Sequence, residues 1–335
     1  MFTNEFINFQ VLRERAFNLR WATVNDDVIP LTAADPDFPC AQEITNAITT
    51  YASSGYFSYA PAEGLPDFKE ALHDFFFLQR NYLIPKEFIL PVDSAAFGIQ
   101  LICQSILSPG DEAIIFDPVD FLFEFCVNQA HAKAVRFPIP QGINVVDFTE
   151  MEKLIGPKTK LICLCNPLNP TGKVFSPREL KQLGDIALKY NLLILSDEIW
   201  SDIVFKPATF TSIGSLSESI ANQTITVSGF SKSYGLAGLR VGVVATNNAA
   251  IFQRIFEKSL HQYTVHGANS IGQIAGIAAL RNSQIWLANF VQHLQEMRDF
   301  VTDRINQING LSTVAPDGCY VSLIKIDGLP YNAEQ

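Results

Sequence analysis

A chain of 335 residues, 48% hydrophobic and 17% charged, can bury a large α/β core with a smaller unit beside it and is too apolar to stay disordered. Its formal net charge of -10 argues against a nucleic-acid partner, which calls for a clustered basic face. Six scattered cysteines without a C-x-x-C pair read as reduced thiols, and five histidines show no metal-ligand spacing, so neither a disulfide framework nor a metal is expected.

Residues 1–17 carry Glu5, Arg13, Glu14 and Arg15 and hold no apolar stretch of a secretory leader. The longest uncharged run, 94–110, is broken by Ser, Gln, Gly and Pro, too short and polar to span a bilayer, so the expectation is a cytoplasmic protein with no membrane partner. From residue 85 to 245, short apolar runs alternate with helix-length segments. The runs at 112–116, 161–165, 192–195 and 241–244 are continuously apolar, as strands buried on both faces are. Further strands are predicted at 88–92 and 224–227. Residues 177–190 read as a helix with Ser176 as N-cap, Pro177 as first residue and Leu180, Leu183, Ala187 and Leu188 as its apolar face. Helices are predicted again at 251–259, 273–280 and 284–308; the last repeats Trp286, Phe290, Leu294, Met297, Val301 and Ile305 at steps of three or four, a core-packing stripe. Residues 319–326 read as a strand of a second unit. The fold class is therefore α/β, a mostly parallel sheet covered by helices (41–245) with a smaller α+β domain (1–40 and 246–335).

Lys232 is the most informative residue. It lies in SGFSKSYGLAGLRVG (228–242), just after the predicted strand 224–227, with Arg240 eight residues on. Ligands of open α/β sheets bind outside the carboxyl ends of the strands. A lysine there can condense with a carbonyl cofactor, and an arginine can grip a phosphate with its planar fork; a solvated loop is the competing reading. Three other segments stand at comparable places. Ala95, Ala96 and Phe97 open a helix after strand 88–92, where small residues let a phosphate reach free N–H groups and the positive dipole end. Asn166-Pro167-Leu168-Asn169-Pro170-Thr171-Gly172 invites a phosphate-loop reading, which fails because Pro167 and Val174 replace the required glycine and hydroxyl residue. Ser196-Asp197 follows the strand 192–195; a desolvated carboxylate there needs a cationic partner, a helix N-cap being the alternative.

In their order, these segments resemble the motifs of the class I/II pyridoxal-phosphate aminotransferases of fold type I, over about residues 28–325. The resemblance implies pyridoxal 5'-phosphate as cofactor, an internal aldimine on Lys232, and Lys232 as the general base once freed. It implies that Asp197 pairs with the ring nitrogen and Asn169 donates to the phenolic oxygen. Ser231, Arg240 and the N–H groups of Ala95, Ala96 and Phe97 would anchor the phosphate. Trp200 stands where the family carries a tyrosine, or a histidine in its C–S lyase branch. Asp120 stands where the ring-stacking aromatic is expected, with Phe121 one position late. Tyr59 would reach the phosphate of a neighbouring subunit, implying a homodimer with shared sites, and Ala34, in Ala33-Ala34-Asp35-Pro36-Asp37-Phe38, would lie over the substrate carboxylate. An α-amino acid and a 2-oxo acid are the implied substrates. Two other readings stay open: a pyridoxal-phosphate C–S lyase, which shares every cofactor residue and is faintly matched at 29–38, and a non-catalytic cofactor-binding homologue. The family also places a carboxylate-clamping arginine beyond the segment matched by Gly318-Cys319-Tyr320. The sequence ends at Gln335, leaving open whether that arginine lies outside it or the substrate is held differently.

Overall fold

The computed structural model describes residues 2–140, 142 and 145–328; the final residues of the expected small domain, 329–335, lie outside these. Strands β1 (Ile89–Val92), β2 (Glu112–Asp117), β3 (Lys133–Pro138), β4 (Thr159–Cys165), β5 (Leu193–Asp197), β6 (Thr224–Gly229) and β7 (Gly242–Thr246) form a seven-stranded sheet in the order β1-β7-β6-β5-β4-β2-β3. Only β7 is reversed: it pairs antiparallel with β1 and β6, while the other neighbours are parallel. β1, β6 and β7 are buried at every residue, which is why their sequences are continuously apolar or small rather than alternating. β3 escapes that pattern. As the sheet's edge it leaves Lys133 and Arg136 to solvent, where they pair with Glu112 and Glu124, and its charges hide it from a search for apolar runs.

Helices α1 (Phe9–Glu14), α2 (Gln42–Ser53), α3 (Pro66–Arg80), α4 (Ala95–Ile106), α5 (Leu122–Gln129), α6 (Pro177–Tyr190), α7 (Glu218–Gln223), α8 (Ala249–Ser259), α9 (Ser270–Asn282) and α10 (Gln284–Asn306) complete the described chain. No helix among the described residues is long and apolar enough to cross a membrane. α6 starts where its sequence says it should: Ser176 and Glu179 form a reciprocal capping box, Pro177 opens the helix, and Asn191 closes it in the left-handed region. Its Leu180, Leu183 and Ala187 are buried. On α10, Phe290 is fully buried and Trp286, Leu287 and Leu294 pack with it around Trp200, Ile203, Phe205 and Cys319, whereas Met297 is 41% exposed.

The strand expected at 319–326 is much shorter. Only β9 (Ile324–Ile326) forms, antiparallel to β8 (Leu311–Thr313). The reason lies in the preceding backbone: Cys319 has φ of 65°, and the N–H groups of Gly318 and Cys319 bond to the carbonyls of Gly172 and Ile203. That segment is tied to loops of the large sheet and cannot extend a ladder.

The reversal of β7 decides where the chemistry collects. Gly242, its first residue, pairs with Gly229 at the end of β6 and with Val92 at the end of β1. The turn carrying Arg240 therefore reaches the same sheet edge as the C-terminal ends of β1, β4, β5 and β6. Gly242 also permits α4 to approach: a Cβ there would lie 2.5 Å from the Ala95 nitrogen.

Candidate active site

Lys232, three residues past β6, is half-buried, and its Nζ donates to the Ala34 carbonyl at 2.6 Å. The amine sits 5.2 Å from the centroid of the Trp200 ring, a cation–π contact. Burial pushes the Lys232 pKa down, opposed by the carboxylates of Asp35, Asp120 and Asp197 and by the Cys319 thiol. The Tyr320 hydroxyl donates to the Lys232 carbonyl at 3.3 Å, and the neighbouring Ser233 hydroxyl donates to Asp202 at 2.8 Å.

Asp197 ends β5 and is 6% exposed. Its Oδ1 accepts the Ile199 N–H at 3.1 Å. Burial raises its pKa to about 7, the Ile199 N–H and Lys232 pull it down, and Asp120 and Glu198 add to the rise. The next residue, Glu198, is raised to about 7 by its own burial, although the Ser212 and Ser196 hydroxyls donate to it at 2.6 and 3.1 Å.

At the head of α4, the Ser94 hydroxyl accepts the Phe97 N–H at 3.1 Å. Of the three N–H groups expected to face a phosphate, that of Phe97 is thus occupied by the cap, while those of Ala95 and Ala96 have no intrahelical acceptor by construction. Arg240 is exposed, in the left-handed region at φ 49°, two residues before β7. Ser231 is half-buried beside Lys232. Asn169 donates through Nδ2 to Asp120 Oδ2 at 2.9 Å, and Asp120 Oδ1 also accepts the Leu122 N–H at 3.0 Å. This donor set fits pyridoxal phosphate. A desolvated carboxylate matches a protonated ring nitrogen, a half-buried amine matches the carbonyl carbon, and a guanidinium with a helix start matches the phosphate.

Residues 26–335 match the family described as aminotransferase class I and II. The chain is 30% identical over 317 residues to an aspartate aminotransferase of Pyrococcus horikoshii, covering 94% of this chain and 80% of the relative. It is 30% identical over 311 residues to an aspartate aminotransferase of Geobacillus stearothermophilus, covering 92% and 78%. Among solved structures, a PLP-bound protein of Clostridium difficile named as an aminotransferase superposes with a TM-score of 0.84 at 25% identity, covering 93% of this chain and 80% of that one. The chain belongs to the aminotransferase class I and II family. Pyridoxal-phosphate-dependent amino-group transfer is its activity.

Against that family's pattern the remaining sequence candidates fall in different places. Trp200 is 2% exposed and packs edge-on against Tyr320 at 4.8 Å between centroids. Phe121, 77% exposed, stands before the first turn of α5, and it is the adjacent Asp120 that enters the site. Ala34 is half-buried, and its carbonyl meets the Lys232 amine. Tyr59 is 89% exposed, with its ring 5.0 Å from that of His266.

Other groups around the lysine were given no role by the sequence, although Asp35, Asp37 and Tyr320 lie in segments it matches to the family. Asp35 approaches Lys232 from the N-terminal segment, and burial raises its pKa against the pull of Arg20 and Lys232. Arg20 donates to the Asp35 carbonyl at 2.5 Å and pairs with Asp37, while the Trp21 indole donates to Asp37 at 2.8 Å and the Asn18 amide to Asp35 at 3.0 Å. Nothing in the spacing of residues 18–21 marks them. Tyr320 was visible only as part of a tripeptide; its contact with Lys232 depends on the irregular path of residues 317–320.

Proposed function

We propose that Lys232 is the cofactor lysine of this aminotransferase and the base that moves the substrate's α-proton. The observation that carries the reading is the meeting of a half-buried amine of lowered pKa with the buried Asp197 carboxylate at the ends of adjacent strands β6 and β5. Asp197 would hold the ring nitrogen, Asn169 the phenolic oxygen, and the Ala95 and Ala96 N–H groups with Ser231 and Arg240 the phosphate. When bound, the cofactor supplies an electron sink for negative charge developing at the substrate's Cα.

The chain's own residues then have separable tasks. Lys232 is desolvated, which shifts it toward the neutral form that a base requires. Asp197, once a cation lies against it, is held ionised, because its raised pKa reflects burial that a paired positive charge offsets. In the cofactor-free chain the Ala34 carbonyl holds the amine toward the segment 33–37. Trp200 walls off the amine with a ring that can donate a hydrogen bond but cannot ionise.

The same reading takes an α-amino acid and a 2-oxo acid such as 2-oxoglutarate or pyruvate as substrates; the relatives' names favour aspartate as donor. It divides the chain into a large part (41–245) and a small part (1–40 with 246–335). It makes the active unit a homodimer, supported by the exposed Tyr59, Tyr56 and Phe57 and by the 91% exposed Leu31, apolar surface of a kind that protein partners cover. Six unpaired cysteines suit a reducing, cytoplasmic compartment.

The test is direct. Protein incubated with pyridoxal phosphate and reduced with borohydride should carry the label on Lys232, and Lys232→Ala should lose both label and amino-group transfer from aspartate to 2-oxoglutarate while keeping its fold. A label that survives Lys232→Ala would refute the assignment. Rapid pyruvate release from cystathionine without exchange into any oxo acid would replace transaminase by lyase.

A further inference from the structure

One buried cation ties together the two loops that carry Asp197 and Lys232. Arg80, the last residue of α3, pairs with Asp202 and donates to the Ser201 hydroxyl at 3.1 Å. Its guanidinium lies 4.6 Å from the centroid of the Phe75 ring and 5.1 Å from that of Phe210. The other Asp202 oxygen accepts the Ser233 hydroxyl at 2.8 Å, and Ser233 is fully buried. Ser201 and Asp202 belong to the turn that follows Asp197 and contains Trp200, whereas Ser233 is the residue next to Lys232. Arg80 also faces Glu198, adjacent to Asp197, and pulls its pKa down. The chain α3–Arg80–Asp202–Ser233 therefore runs behind the site, on groups that need touch neither cofactor nor substrate.

We propose that Arg80, Asp202 and Ser233 are positioning residues: a relay in series that fixes the lysine loop against the Asp197–Trp200 turn. The inference rests on Lys232 being the cofactor lysine. Its physical content is geometric. The Arg80 side chain is 11% exposed and Asp202 16%, so the pair is shielded from water and salt, and two aromatic rings hold the guanidinium plane. A bidentate carboxylate bridging a fixed cation and a fixed hydroxyl permits one separation of the two loops and opposes others. Proton transfer tolerates little error there, since about 1 Å of misplacement can cost about a hundredfold in rate.

The experiment uses the full chain loaded with pyridoxal phosphate and compares Ser233→Ala, Asp202→Asn and the double variant with the parent. Each single change should lower kcat at least about tenfold while moving KM less than about threefold, since the network contacts no substrate. The visible circular dichroism of the lysine adduct, per unit absorbance, should fall in both, because it reports how rigidly the adduct is oriented. The double variant should be no worse than the poorer single, as expected of links in series. Unchanged kcat and dichroism in folded, cofactor-bound single variants would overturn the proposal, as would additive losses accompanied only by a lower unfolding temperature. Lys232→Ala is the control: if it keeps the borohydride-reducible adduct, the lysine assignment fails and the relay falls with it, whereas loss of the adduct leaves the outcome to Ser233 and Asp202 alone.

Discussion

Asp197 and Glu198 are adjacent carboxylates that burial raises to about 7, one inside the site and one held by serine hydroxyls behind it. At these two positions the folded, cofactor-free protein binds more protons than the unfolded chain between about pH 4 and about pH 7, so their contribution to stability falls as pH rises through that window. Asp197→Asn should remove roughly half of the slope, make the cofactor-free protein more stable than the parent near pH 8, and leave the two equal below about pH 4. Denaturant melts across pH check this; a parent whose stability is flat over the window would mean the carboxylates find cations in solution. Asp120 offers a second case. It engages the Asn169 amide and lies among the carboxylates that oppose the downward push of burial on the Lys232 pKa. Asp120→Ala should lower the lysine pKa further and speed adduct formation with pyridoxal phosphate at neutral pH. Stopped-flow absorbance reads it, and a slower variant would show that Asp120 serves the cofactor rather than the resting lysine.

Among elements, the start of α4 meets β7 backbone to backbone. A Cβ on Gly242 would lie 2.5 Å from both the Ala95 nitrogen and the Ser94 carbonyl carbon, all of them backbone atoms that cannot swing aside. Gly242→Ala should push the start of α4 away from β7, weaken pyridoxal-phosphate binding at least about tenfold and cost about 1–3 kcal/mol of stability, as overpacking does. Equilibrium dialysis and unfolding curves decide between that and a harmless shift. The sheet is legible in the sequence where burial on both faces leaves a continuous apolar run, as at 161–165 and 192–195. β3 is not, since an edge strand keeps its charges. The strand expected at 319–326 comes out short because Cys319 to Val321 is apolar for a different reason, packing irregularly against Trp200 and Ile203. Lys232, Asp197, Asn169 and Arg240 can be found because each lies at or within four residues of a strand end. Arg80, Asp202 and Ser233 could not, since their partners are far apart in the chain and nothing local to any of them marks the contact.

At the scale of the whole molecule, the exposed aromatic and aliphatic side chains of residues 17–31 and 56–59 are the surface on which the proposed homodimer rests. If Tyr59 serves the site of a second copy, mixing Lys232→Ala with Tyr59→Phe under exchange conditions should give activity that departs from the sum of the two, and sedimentation should show a dimer at micromolar concentration; a monomer would count against it. The reversed strand β7 has a larger consequence. Residues 230–241 leave β6 at Gly229 and rejoin the sheet at its paired neighbour Gly242, so the amine and the guanidinium ride on one closed loop of chain. Between its two ends that loop is held by Ser233 on Asp202, by the Tyr320 hydroxyl on the Lys232 carbonyl, and by the Asn269 amide on the Leu239 and Arg240 carbonyls, so the sheet, the relay and the start of α9 together set the span between amine and guanidinium. If Lys232 and Arg240 hold the cofactor as proposed, this loop is a gauge for the distance from aldehyde to phosphate, and removing one residue from 235–239 would keep its Gly229–Gly242 closure while putting its two jaws out of step with any rigid ligand that must touch both.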